Sequence, residues 1–198
     1  MLADGVTFPD PKEDLKASGN QTVVLAGGCF WCTEAVFQQV EGVETVISGY
    51  AGGSKDTAKY DIVSTGETGH AESILITYDP AKTSYGQLLK IFFSVAHDPT
   101  TLNRQGNDVG PQYRSAIFYA NEDQKRVAEA YIKQLNDAHV RKAAIVTQVV
   151  PLDKFYSAEA YHQDYANNNR YNPYIVAVSD PKVEKLKKMY PGCVRKRK

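Results

Sequence analysis

Only three cysteines occur in 198 residues. An odd, small number excludes a disulfide-stapled secreted scaffold and leaves at least one thiol free to work. No apolar run approaches the roughly 18 residues that a membrane-spanning helix needs. The first twenty residues are polar and lack the apolar centre of a secretory signal, so a cytoplasmic location is expected, with no membrane partner. Internal repeats and low-complexity tracts are absent. The four histidines, His70, His97, His139 and His162, share no metal-ligand spacing, and no second Cys-x-x-Cys completes a site, so no metal is expected. Net charge is zero but unevenly placed, with eight Lys/Arg against one Glu over residues 182–198. No aromatic interleaving or RNA-binding fingerprint accompanies that basic stretch, which reads as a solvated tail rather than a nucleic-acid site.

What is present fits one soluble domain, 42% hydrophobic and 23% charged, with a monomer as the default. Residues 1–20 read as a poorly ordered N-terminal arm. A catalytic body over 21–178 follows, then a basic C-terminal helix and tail over 179–198 carrying Cys193. Within the body, Thr22–Gly27 reads as a buried strand, 30–40 as an amphipathic helix and Val43–Tyr50 as a second strand. His70–Tyr78 alternates as a half-buried strand, and Ser84 caps a helix to about Val95. Residues 98–114 form a long polar loop, of the kind that is often functional. Ser115–Ala120 is a strand, Asn121 caps a helix to about Asn136, and Ile145–Pro151 is a strand. Short helices are expected over 158–166 and 181–190. The order βαβ…βαβαβ predicts an α+β fold (an α/β sandwich): a ferredoxin-like core with helices on a mixed sheet and long coil segments.

The densest chemistry lies at Gly27-Gly28-Cys29-Phe30-Trp31-Cys32. Two of the three cysteines stand three residues apart, with the only tryptophan between them. At a strand–helix junction Cys29 meets unpaired backbone N–H groups, and the helix dipole favours its thiolate. Glu72 is a lone carboxylate in a hydrophobic strand; burial raises such a group's pKa and lets it donate a proton near neutrality. Tyr60 and Tyr113 sit in polar segments near Gly-rich turns and offer hydroxyls to a polar oxygen. Phe30 and Trp31 offer an apolar wall. Such a site suits a small apolar group beside a polar S–O or C–O bond. Cys29-x-x-Cys32 alone equally suits a thiol–disulfide oxidoreductase, which stands as the alternative.

Gly28-Cys29-Phe30-Trp31 followed by a helix resembles the signature of A-type peptide methionine sulfoxide reductases. Gly49-Tyr50-Ala51-Gly52-Gly53, Gly66–Glu72, His97-Asp98-Pro99, Arg104–Asp108, Gly110–Ile117 and Tyr161-His162-Gln163 resemble that family in the same order. The resemblance implies that Cys29 attacks the sulfur of methionine sulfoxide, free or in proteins, while Glu72 protonates its oxygen. It also implies that Tyr60 and Tyr113 hold that oxygen, that Phe30 and Trp31 cup the methyl group, and that Asp108 helps position the substrate. Cys29 then becomes a sulfenic acid, a second thiol forms a disulfide, and an external thioredoxin-type dithiol reduces it, with no bound cofactor. The A type is selective for the S epimer and repairs proteins under oxidative stress.

The chain departs from that pattern at Cys32, where most members of the family carry Gly. Residues i and i+3 of a helix lie about 5–6 Å apart between Cβ atoms, so a Cys29–Cys32 bridge needs only modest distortion. Cys193 follows the turn signal Pro191-Gly192 in a tail whose mobility would let it reach a distant site at small entropic cost. Cys32 is the preferred resolver; Cys193 is the alternative or a relay.

Overall fold

A run such as Thr22–Ala26, apolar at nearly every position, has no polar face to give to water and belongs in the middle of a covered sheet. The computed structural model, which describes residues 6–196, puts it there. β1 (Gln21–Gly27) is followed by α1 (Phe30–Phe37), β2 (Val43–Ala51), the single turn α2 (Tyr60–Val63), β3 (Ala71–Tyr78) and α3 (Tyr85–Ile91). Next come a two-residue hairpin, β4 (Arg104–Gln105) and β5 (Asp108–Val109), then β6 (Ser115–Tyr119) and α4 (Glu122–Asp137). β7 (Gln148–Pro151), β8 (Phe155–Ser157), α5 (Tyr165–Asn168) and α6 (Asp180–Met189) complete the order.

The sheet runs β7-β6-β1-β3-β2-β8. β1 is antiparallel to β3 and β6, and β2 is antiparallel to β3 and β8, while β6 and β7 are parallel. The inner order β6-β1-β3-β2 comes from two βαβ units, each with its crossover helix, which is the expected ferredoxin-like core. Side-chain alternation divides β1: Val23 and Leu25 enter the main core with the helices, whereas Val24 and Ala26 join a smaller cluster with Ala71, Ala116 and Phe118.

Several boundaries differ from the expectation. The helix begun at Phe30 stops at Phe37, and α3, capped as expected by Ser84, continues past Ile91 as a wider π-helical turn over Phe92–Ala96. The long loop contains the β4–β5 hairpin. Residues 158–166 are not one helix: a 3₁₀ turn over Ala160–His162 is cut by Asp164, whose φ is 54°, before α5 begins. Phe155–Ser157 is an additional edge strand, whose backbone and Phe155 side chain lie so close to Gly49 that no Cβ fits there.

The described part of the N-terminal arm corrects the expectation of poor order; residues 1–5 lie outside the described residues. Phe8 is 1% exposed and belongs to the main core, with the Arg141 guanidinium over its ring. Tyr131 donates its hydroxyl to the Pro9 carbonyl, and Lys90 pairs with Asp10. Asp14 accepts from the Gly86 N–H and from the Ser84 hydroxyl, so the arm caps α3. Phe8→Ala is expected to cost about 3–5 kcal/mol of stability, the range for emptying a buried aromatic site, read as a lower urea midpoint.

The tail is also held. Val194 bridges Val40, Glu41 donates its N–H to the Cys193 carbonyl, and Arg195 donates to the Gln39 carbonyl. The expectation of a mobile tail is thus corrected through Arg195, since backbone hydrogen bonds tie it to the chain leaving α1. Residues 197–198 lie outside the described residues.

Candidate active site

The chain turns from β1 into α1 through Gly28, whose φ is +84° and whose missing Cβ would lie 2.6 Å from the Gln105 side chain. Gln105 in turn clamps the loop above it, accepting from the Asp98 N–H and donating to the Asp98 carbonyl. Behind this turn His97 is buried, bonded to the Phe92 carbonyl and the Ser115 hydroxyl, and burial pushes it down to about 3, so it stays neutral. Cys29 thereby stands at the N-cap of α1, and its carbonyl accepts from the Cys32 and Thr33 N–H groups.

The thiolate-favouring environment expected at this helix start is overridden. Cys29 is only 9% exposed, and burial pushes its thiol well above the ordinary range. The eight-residue helix contributes too little to offset that desolvation. The Cys29 and Cys32 thiols influence each other's ionisation. Cys32 is the member held low, at about 7, first by its interaction with Cys29 and then by the charge of Lys182 and the hydroxyl of Tyr174. Cys29 lies just outside the helix, with ψ at 123°, so its side chain is not bound to helical spacing relative to Cys32.

Glu72 lies in β3, 3% exposed, and one carboxylate oxygen accepts the Phe30 N–H at 3.0 Å. Burial dominates over that hydrogen bond and, with the nearby Asp108 charge, pushes the carboxyl up to about 8. At neutral pH it holds a proton. Tyr60 and Tyr113 are half-buried, and both phenols are pushed up, first by burial and then by the Glu72 charge, so they remain hydroxyl donors. Cys29 also acts electrostatically on both tyrosines. Phe30 is fully buried beside Tyr50 and His162. Trp31 stacks on Tyr165 with centroids 3.8 Å apart and donates its ring N–H to His162 at 3.0 Å.

Four supporting residues escaped the sequence reading. Tyr174 donates to Asp108 and also contacts the Cys32 sulfur, at 3.9 Å from its hydroxyl. Tyr165 braces Trp31, and its segment is tethered by Glu34, which accepts the Asp164 N–H and is pushed up to about 7 by burial. Glu159 accepts from the Tyr50 hydroxyl and the Tyr60 N–H, fixing the start of α2. All but Glu34 come from the irregular stretch 158–174, and only its run of aromatics hinted at a packing role. Cys193 is not brought to the site: it lies beyond the far end of α1, about 15 Å from Cys29 at 1.5 Å per helical residue. Among the described residues no three His, Cys, Asp or Glu side chains gather in a way that could hold a metal ion.

Residues 21–192 match the family model described as Peptide methionine sulfoxide reductase. "Peptide methionine sulfoxide reductase MsrA 2" of Mesorhizobium japonicum is 53% identical over 180 residues, covering 91% of this chain and 92% of that protein. Reduced Mxr1 from Saccharomyces cerevisiae superposes with a TM-score of 0.71 at 30% identity, over 77% of this chain and 87% of that one. Methionine sulfoxide reductase A of Corynebacterium diphtheriae gives 0.68 at 35% identity, over 79% of each chain. Yeast Mxr1 has also been solved in complex with Trx2, where the likeness is 0.50 at 22% identity, over 81% of this chain and 94% of that one.

Proposed function

Since this chain belongs to the peptide methionine sulfoxide reductase family and reduces methionine sulfoxide, we propose that Cys29 is the nucleophile and Glu72 the proton donor of that reaction. The observation that carries this reading is Glu72, buried and protonated at neutral pH, hydrogen-bonded to the residue that follows Cys29. Cys29 attacks the sulfoxide sulfur, and Glu72 protonates the oxygen as the S–O bond weakens. The thiol proton of Cys29 replaces the one Glu72 gives up. Tyr60 and Tyr113 donate to the same oxygen, like an oxyanion hole. Phe30 and Trp31 pack against the methyl group, and Asp108, held by Tyr174, positions the substrate. The bond formed between the two sulfurs then breaks as the hydroxyl passes from the methionine sulfur to the Cys29 sulfur, so methionine departs reduced by two electrons and Cys29 is left as a sulfenic acid. The family's S-epimer selectivity follows from fixing oxygen and methyl on different walls.

Cys32 resolves the sulfenic acid. Its thiol stands in the first turn of the helix that Cys29 caps and is pushed down towards neutrality, which suits attack on Cys29 with loss of water. Cys193 would have to leave its backbone pairing beyond α1 to compete. A thioredoxin-type dithiol then reduces the Cys29–Cys32 disulfide, a reading supported by the family and consistent with the yeast Mxr1 complex with Trx2. The chain acts as a monomer in the cytoplasm, where unpaired thiols such as its three persist. Among the described residues no helix is long and apolar enough to cross a membrane.

The test is oxidation with stoichiometric methionine sulfoxide and no reductant, followed by disulfide mapping by mass spectrometry. About one methionine per protein and a Cys29–Cys32 bridge are expected, the bridge following from the thiolate held ready at Cys32. A Cys29–Cys193 bridge that persists in Cys32→Ser would sink the Cys32 assignment.

A further inference from the structure

A cavity of about 600 Å³ opens at Cys29. Neither the aromatic wall of Phe30 and Trp31 nor Glu72, Tyr60 or Tyr113 lines it; Cys29 and the substrate-positioning Asp108 belong to both spaces. Arg141, Lys182 and Lys185 stand around it, together with Asn107 and Tyr174. Two carboxylates also face it, and both are already engaged: Asp98 accepts from the Thr100 N–H and hydroxyl, and Asp108 accepts from Tyr174. His97 is there as a neutral ring.

The three cations are not so engaged. Among the described residues none of them makes an ion pair. Arg141 donates to the Phe93 carbonyl and Lys185 to the Ser94 carbonyl, while the Arg141 Nε is buried with no partner. Burial, with the charges of Arg141 and Lys182, holds Lys185 down to about 8. Three cations face two carboxylates around the cavity, an excess of one positive charge, and an anion placed among the cations lowers their mutual repulsion.

The direction of the substrate chain supplies the anion. A sulfoxide sulfur bears an oxygen, a methyl group and the rest of the methionine side chain. On the reading above, the first two are taken by Glu72 with the tyrosines and by the aromatic wall. The third leaves by the remaining side of Cys29, where this cavity opens. From sulfur to Cα is about 4 Å, and each further residue adds up to about 3.6 Å, so the groups next to the oxidised methionine reach the cations.

We propose that this cavity is a carboxylate subsite, which selects methionine sulfoxide carrying an acidic group beside it. The proposal rests on Cys29 and its surrounding walls being the sulfoxide site. The carboxylate has two possible sources: an acidic side chain following the methionine, or the α-carboxylate of free or C-terminal methionine sulfoxide.

The experiment compares kcat/KM for two substrate pairs, with uncharged dithiothreitol as reductant and at low ionic strength. One pair is N-acetyl-methionine sulfoxide followed by Glu amide or by Gln amide; the other is N-acetyl-methionine sulfoxide or its amide. In at least one pair the carboxylate form is expected to be favoured about tenfold, fading with added salt, as for charge-assisted contacts. The pair showing the preference identifies the source. In Lys182→Gln/Lys185→Gln the preference falls to about twofold or less, and in Lys182→Arg/Lys185→Arg it survives, since charge is what is read. Equal rates within both pairs for the wild type, or a preference that survives the Gln substitutions, overturns the subsite. Failure of the wild type to reduce any of the four substrates overturns the reductase site itself.

Discussion

Cys29→Ser is expected to form no methionine in a single turnover, a loss of at least about 10⁴-fold, as when any nucleophile acting in a unit is removed. The reason is electronic rather than geometric. Reducing the sulfoxide takes two electrons from a sulfur that can keep the oxygen as a sulfenic acid, and a serine oxygen has no such state. The measurement is chromatography of methionine after mixing equimolar enzyme and methionine sulfoxide without reductant. Cys32→Ser sharpens it, because resolution comes after methionine has left. That variant should still release about one methionine per protein and then stall as a sulfenic acid that a dimedone probe traps. A thiol–disulfide oxidoreductase built on the same pair would lose its activity in both variants and release methionine in neither.

Glu72→Gln is expected to lower kcat by about 10²- to 10⁴-fold, the usual contribution of a positioned general acid. Glutamine keeps the shape and accepts the Phe30 N–H as the carboxyl does, so the fold stays intact. The pH dependence is the more specific mark. Burial holds the carboxyl at about 8, so the acid form is present below that pH and the wild-type rate should fall as pH rises through it. In Glu72→Gln that limb should vanish. Stability has the same sign: between the unfolded value of 4.5 and the folded value near 8, the native state binds the extra proton, so stability declines as pH rises through that window. Glu72→Gln should therefore be at least as stable as the wild type at pH 8 while losing most of its rate. A thermal melt beside the kinetics checks both halves.

The sequence was legible wherever one local pattern decides the outcome. The apolar run at β1, the Ser84 and Asn121 caps and the alternation of β3 each rest on near neighbours, and each element formed about where those signals put it. The ferredoxin-like core followed from counting βαβ units, and its strands lie in the order β6-β1-β3-β2. Glu72 showed itself as a carboxylate among apolar neighbours, and its burial is what raises it. What escaped depends on contacts between distant segments. Nothing near Tyr174 says that its hydroxyl lies between Asp108 and Cys32, 66 and 142 residues away. Nothing near Asp164 announces the left-handed residue that breaks the expected helix and lets Glu34 seize its N–H. The thiol at Cys29 was misjudged for a related reason: its place at a helix start is local, but its burial is collective.

The stretch matched by the family model and the stretch that folds are not the same. The match runs over residues 21–192, yet Phe8 fills the core from outside that range, and Val194 and Arg195 close on the chain leaving α1. The catalytic segment is therefore portable only together with these two lashings. A fusion or truncation cut at the edges of that match would carry every reacting group and still lack the arm that caps α3 and the strap that closes on the chain leaving α1.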